Sequence, residues 1–407
     1  MQHEPAEFAV GMRPRWATFA ALNAKLVGIG LARFAYTPLI PAIIGAGWFV
    51  PSQAAYLGAA NLAGYLVGAL LARQMTQIRP TATVLRTMML LATSSFFACA
   101  VPLAFSWYFC WRFVAGLAGG TLMVLGAPTV LAHMPAARRG LAGGVIFTGV
   151  GIGIVLSGTL VPLLLGIGLA QAWIGLGLLA LLLTITAWGG WPAGPAAIAT
   201  AVAPSRDRRS SSMVKTLYIE YALTAVGLVP HMVFLVDFVA RGLGQGVDAG
   251  ARYWVLFGLG ALVGPVIAGH AADRIGFRAA LRVAYAVEAI AVGALAVTAN
   301  AYGLALSSIV IGAFTPGITT LVLGRIRELL PHHEHAQKAA WSRATVGFAV
   351  GQAMAAYCFS YLYARRGDYA DLFVLATAAV VLALTINLLS AALTAQPAAR
   401  QRRVPSA

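Results

Sequence analysis

Ionisable side chains inside long apolar runs are where this sequence can do chemistry. Arg33 stands in the string Gly28-Ile-Gly30-Leu-Ala-Arg33-Phe34-Ala-Tyr36-Thr37-Pro38-Leu-Ile-Pro41. A guanidinium there can hold a carboxylate or phosphate through two parallel hydrogen bonds. It can equally form a structural ion pair with a carboxylate of the chain, Glu220 among them, and the sequence leaves both readings open. Tyr36 follows at helical spacing, and Pro38 and Pro41 interrupt the helix just beyond. Lys25 lies near one end of the same run, so its ammonium is expected to snorkel to water. Arg112 is a third cation in an apolar run. A second stretch carries Glu220, Tyr221, Pro230, His231 and Asp237. His231 belongs to the one residue type that titrates near neutral pH without help, which suits proton coupling. A hydrogen-bonded packing histidine is its other reading. Asp237 is expected at a membrane rim, and Glu288 at a helix interface with a partner. Asn61, Tyr65 and Gln352 are candidate polar groups of a cavity.

Several other chemistries are excluded. Pro331-His332-His333-Glu334-His335 is read as a solvated loop, because adjacent ligands rarely wrap one ion, and no metal or cofactor is expected. The run Thr148-Gly-Val-Gly-Ile-Gly-Ile-Val-Leu-Ser-Gly158 lacks the preceding strand and downstream acid of a dinucleotide loop, so its glycines are read as packing residues. There is no nucleophile–base pair, phosphate loop or His-Glu-x-x-His site, so an enzyme is not expected. Cys99, Cys110 and Cys358 lack metal-ligand spacing and are expected as free thiols.

The elements that must position these groups are membrane helices. The chain is 60% hydrophobic and 10% charged, against roughly 25% charged for a soluble domain. Its apolar residues come in runs of the length, about 20 residues, that crosses a hydrocarbon core. Lipid offers no partner to backbone N–H and C=O groups, so such runs are helices. Spans are expected near 17–44, 51–72, 82–103, 106–131, 140–165, 168–190, 214–240, 250–270, 280–299, 302–324, 339–364 and 370–393. The first is read as a retained helix, being too long for a signal-peptide core.

The net charge of +16 follows this topology. Of the 28 Lys and Arg, 21 fall on one side of the spans, four on the other (Arg241, Arg252, Arg365, Arg366) and three within spans. Basic residues concentrate on the cytoplasmic side. Both termini are therefore expected in the cytoplasm of a bacterial-type inner membrane, and the charge is no nucleic-acid footprint. The polar stretch 191–212, rich in Pro, Ala, Ser and Arg, reads as a cytoplasmic linker. It separates an N-terminal six-helix bundle (1–190) from a C-terminal one (213–407) with a short tail. Small-xxx-small pairs (Gly64/Gly68, Gly116/Gly120, Gly140/Gly144, Gly149/Gly153, Gly347/Gly351) are expected at close helix contacts.

The sequence Gly269-His-Ala-Ala-Asp273-Arg274-Ile-Gly276-Phe-Arg278 resembles the G-x-x-x-D-R-x-G-[RK] signature of the major facilitator superfamily. The resemblance implies a gating loop in which Gly269, Asp273, Arg274, Gly276 and Arg278 latch the cytoplasmic gate. The equivalent place in the first half reads Gly68-Ala-Leu-Leu-Ala72-Arg73, without the acid. Arg112-Phe-Val-Ala-Gly116 resembles the family's R-x-x-x-G element, whose Arg is tied to proton coupling. The fifth span resembles the Gly-rich gating helix but lacks its Gly-Pro pair. The string around Arg33 resembles the YbfB/YjiJ-type subgroup.

The resemblance implies an all-α fold of twelve transmembrane helices in two six-helix bundles, with a substrate site near the bilayer midplane. The expected function is secondary active transport of a small organic solute by alternating access. A proton is the expected co-substrate, and an organic anion is favoured by Arg33 and Arg112. Substrate contacts would come from Arg33, Tyr36, Asn61, Tyr65, His231 and Gln352, and proton coupling from Arg112, Glu220 and His231. Export of amphipathic or cationic compounds, or a receptor that binds without transporting, are the alternatives. A monomer is expected, with the lipid bilayer as its surroundings.

Overall fold

A computed structural model describes residues 14–134, 136–192, 208–331 and 333–401. Most of the expected linker, His332 and the last residues of the tail lie outside them. The described residues form twelve long helical segments joined by short turns, with no strand among them. They are α1 (Pro14–Gly45), α2 (Pro51–Ile78), α3 (Thr81–Ala98), α4 (Phe105–Leu131), α5 (Ala136–Leu165) and α6 (Leu169–Ala187). After the linker come α7 (208–242), α8 (Val247–Ile275), α9 (Phe277–Val297), α10 (Ala301–Leu329), α11 (Glu334–Arg366) and α12 (Ala370–Gln401). Ten of these segments are long and apolar enough to cross a membrane, all but α3 and α11. α3 carries Arg86 and six Ser or Thr residues, and α11 opens on a polar turn. Several helices run past the expected spans, since a helix need not stop where the hydrocarbon does.

Outward faces are apolar: Leu163, Ile167, Leu182, Ile185, Val266, Ile290, Leu306 and Leu389 are all exposed. Buried positions include Lys25, Asn61, Arg112, Glu220, His231, Asp237, Glu288 and Gln352. An apolar outer surface over an apolar core that also holds ionisable groups is what lipid as solvent selects.

The chain divides into two compact units, Met1–Leu39 with Ala63–Ile198 and Ile40–Leu62 with Ala199–Ala407. In the first, glycines bring helix backbones together. A Cβ on Gly64 or Gly68 would fall onto the carbonyls of Phe113 or Leu117 on α4, and one on Gly120 onto that of Tyr65 on α2. Gly30 of α1 and Gly153 of α5 meet backbone to backbone in the same way. The expectation does not hold at Gly144, which has open space at its Cβ position. In the second unit Gly260, Gly264 and Gly312 play this part between α8 and α10, and Gly351 sets α11 against Ala222 of α7. The core there is built from Leu217, Tyr221, Leu281, Tyr285, Ile318, Leu321 and Val380. Gly276 sits at φ +79° between α8 and α9, so the tight turn expected of it is present.

Two spans are not regular. α1 is α-helical to Lys25, widens into π turns over Leu26–Leu31, and resumes at Tyr36. The Ala32 N–H bonds to the Val27 carbonyl and that of Phe34 to Ile29, each five residues back. Gly28 and Gly30 weaken the α ladder here, and both lie against neighbouring backbone. α7 breaks likewise. Pro230 has no N–H to offer Val226, and the chain takes π turns over Pro230–Phe234 and again over Phe238–Gly242.

Candidate functional site

In the first unit the wide turns of α1 lie between two cations that tie it to α4. Lys25 is fully buried, with Nζ donating to the carbonyls of Leu122 (3.3 Å) and Met123 (2.8 Å), and it lies over the Phe147 ring. It does not snorkel: carbonyls of a neighbouring helix replace the water it was expected to reach. Arg112 makes the reciprocal tie. Its Nη1 donates to the Ala32 carbonyl at 2.8 Å, and its guanidinium stacks over Tyr36 at 4.2 Å. Tyr36 is held in turn by Trp173, which also meets Phe96 and Tyr108.

Arg33 follows directly on the wide turns. Its guanidinium lies over the rings of Phe34 (5.2 Å) and Tyr65 (5.1 Å). A ring face attracts a cation without neutralising its charge. The structure therefore brings Arg33 together with Tyr65, and Arg112 together with Tyr36. Asn61 is buried on α2, one turn before Tyr65.

In the second unit His231 sits in the first π segment of α7, fully buried. Its Nε2 meets the Ser307 hydroxyl at 2.8 Å, and that hydroxyl donates to the Ala291 carbonyl. Gln352 of α11 donates to the Met232 sulfur. Glu220 is not grouped with His231. It lies three turns earlier on α7 and accepts from Asn387 (2.9 Å) and Tyr285 (3.4 Å). A small pocket beside it is lined by Arg278 and Arg325.

Asp237, expected at a membrane rim, lies near the end of α7, buried between the two π segments, and accepts two bonds from Arg241 (2.5 and 2.9 Å) and one from Tyr369 (2.6 Å). Arg241 also reaches Tyr363 at 2.8 Å, and Tyr363 donates to Tyr369 at 2.8 Å. Four side chains thus pin the end of α7 to α11 and to the turn before α12. Burial, reinforced by Asp237, holds the Tyr369 hydroxyl well above the ordinary phenol range, so it stays a donor. The i, i+4 spacing of Asp237 and Arg241 was a signal for this pair; nothing in the sequence marked the two tyrosines.

Of the gating residues, Gly269 lies in the last turns of α8, and Asp273 and Arg274 are exposed at its end. Asp273 makes no ion pair among the described residues. Arg278 lines the small pocket beside Glu220. Cys99, Cys110 and Cys358 are free thiols.

The family described as "Uncharacterised MFS-type transporter YbfB" matches residues 25–388. No curated protein matches the sequence. Among solved structures, a D-xylose-proton symporter superposes with a TM-score of 0.74, covering 92% of this chain and 97% of that one at 16% identity. At that identity the likeness is one of fold.

Proposed function

Since the chain belongs to the YbfB-type family of major facilitator superfamily transporters, we propose that it carries a small organic solute, an organic anion by preference, across a bacterial inner membrane in exchange or in step with protons. The observation that supports this most is the matched interruption of α1 and α7, the first span of each half. Each widens into π turns midway, and each places an ionisable side chain at the break, Arg33 or His231. Interrupted helices in corresponding positions of two repeats are the usual pointer to a transporter's substrate site.

On this reading Arg33, backed by Tyr65, provides the positive charge that receives the solute. Tyr36, Asn61, His231 and Gln352 supply polar contacts. Arg112 links the charge state near Tyr36 to the backbone of the α1 break through Ala32. Protonation at Glu220 and His231 supplies the driving step, and the Gly269–Arg278 turn latches the cytoplasmic gate in another state of the cycle. The protein works as a monomer with both termini in the cytoplasm and makes or breaks no covalent bond.

The test uses proteoliposomes loaded with a pH-sensitive dye and challenged with a panel of organic anions and cations. Proton movement triggered by an anion, and absent in Arg33→Ala, supports the reading. Movement triggered only by cations or lipophilic compounds overturns the anion assignment in favour of efflux.

A further inference from the structure

Three of the chain's carboxyl groups are buried among the described residues, and their surroundings differ sharply. Glu220 accepts from Asn387 and Tyr285, and Asp237 from Arg241 and Tyr369. Glu288 on α9 has 0% exposure, and neither of its oxygens has a hydrogen-bond partner. Among the described residues, the elements packed around it bring no compensating charge. α7 presents Gly227 against Oε1, with Glu220 two turns to one side and His231 one turn to the other. α12 brings Val380 against the same glycine, and Thr377 and Asn387 farther along. α10 brings Ser307, already bonded to His231 and Ala291. On α9 itself Tyr285 lies one turn away, while Arg282 is turned to Asn387. Arg278 and Arg325 stop at the pocket beside Glu220. A carboxylate with no donor and no counter-ion is among the costliest groups to bury, whereas the neutral acid fits such a place.

The position has an exit. Tyr285, one turn from Glu288, donates to Glu220, and Glu220 lines the pocket among Arg278, Arg325 and Asn387. On the far side lies His231, whose Nδ1 is buried without a partner. Glu220, Tyr285, Glu288 and His231 thus form a buried row along the α7–α9 contact, ending where α7 opens into π turns.

We propose that Glu288 is a proton-binding site of the second unit, loaded from the Glu220 pocket through Tyr285. A proton adds to the Glu288 carboxylate to give the acid. The Tyr285 hydroxyl, which here donates to Glu220, turns to give its proton to the Glu288 carboxylate and takes one from protonated Glu220, so the phenol is regenerated and Glu220 is left ionised at the pocket. The role in coupling rests on the transport reading above, but the site itself does not need a solute to be tested.

The experiment is infrared spectroscopy of the full chain in lipid, without solute, at neutral pH and after transfer to D₂O. The expected result is a carboxylic-acid C=O band that is lost in Glu288→Gln and kept in Glu220→Gln. Its deuterium shift should be slower in Tyr285→Phe than in the unmodified protein. A spectrum unchanged by Glu288→Gln overturns the site. Exchange as fast in Tyr285→Phe as in the unmodified protein overturns the route. Because Tyr285→Phe removes one hydroxyl, it keeps the route testable even where Glu288→Gln fails to fold. Solute flux that moves no protons while the band is present refutes the coupling reading and leaves the site standing.

Discussion

Arg112 and Tyr36 allow a prediction in which the buried cation costs less to remove than its partner. Replacing Arg112 by Met loses a charge-assisted hydrogen bond to the Ala32 carbonyl, about 1.5–3 kcal/mol, and a desolvated cation–π contact over Tyr36, about 2 kcal/mol. The same change relieves the cost of holding a cation within the bilayer, about 2.5–3.5 kcal/mol. The terms nearly cancel, leaving a net loss on the order of 1 kcal/mol. Tyr36→Leu brings no such relief. It strips the ring face from a guanidinium that stays buried, so its loss is about 2 kcal/mol or more. The assay is unfolding of the lipid- or micelle-embedded protein for both single variants and the double variant. A coupling energy of about 2 kcal/mol is expected, because Tyr36→Leu costs little beyond lost packing once Arg112 is gone. The reasoning fails if Arg112→Met is the more damaging change, or if the two effects simply add.

Four further outcomes are expected. Arg33→Ala abolishes solute-driven proton movement in the dye assay while the protein still reaches the membrane; normal movement would remove Arg33 from the site. Asp273→Asn slows the exchange between inward and outward states with little change in solute affinity, as single-molecule distance measurements would record, whereas an equal loss of affinity would refute the latch. Tyr369→Phe removes the donor to Asp237 and lowers stability by about 1.5–3 kcal/mol at neutral pH. With the folded hydroxyl raised, that contribution is held through neutrality and fades only above the ordinary phenol value of about 10; a pH-independent difference across the alkaline range would contradict the contact. A reporter fused after Arg403 should signal cytoplasm, and a periplasmic signal would overturn the even-span topology.

The helices were legible because lipid leaves one solution to a run of twenty apolar residues, and the turn at Gly276 because its motif demands it. The site was legible in its residue types and less so in its contacts. Arg33, Arg112 and His231 stand out as ionisable groups where burial is costly, and the structure does place them at the breaks in α1 and α7 or bonded to them. The fate of Lys25 was not legible, since it depends on carbonyls 97 and 98 residues away that carry no sequence mark. The π turns were only hinted at by Gly28, Gly30 and Pro230. Tyr285, Ser307, Asn387 and Tyr369 went unnoticed because tyrosines, serines and an asparagine are unremarkable in a span until a neighbour is placed beside them.

The tie from Lys25 to α4 also bears on how the chain is made. α1 enters the membrane carrying two cations, each a cost of about 2.5–3.5 kcal/mol at mid-depth. The carbonyls that satisfy the first belong to Leu122 and Met123. At about 5–20 residues per second, those residues are synthesised roughly 5–20 seconds after Lys25. For that interval Lys25 lacks the carbonyl partners it has in the folded chain. The tie that seats Lys25 forms only when α4 arrives, so a helix made before α4 is completed only after it.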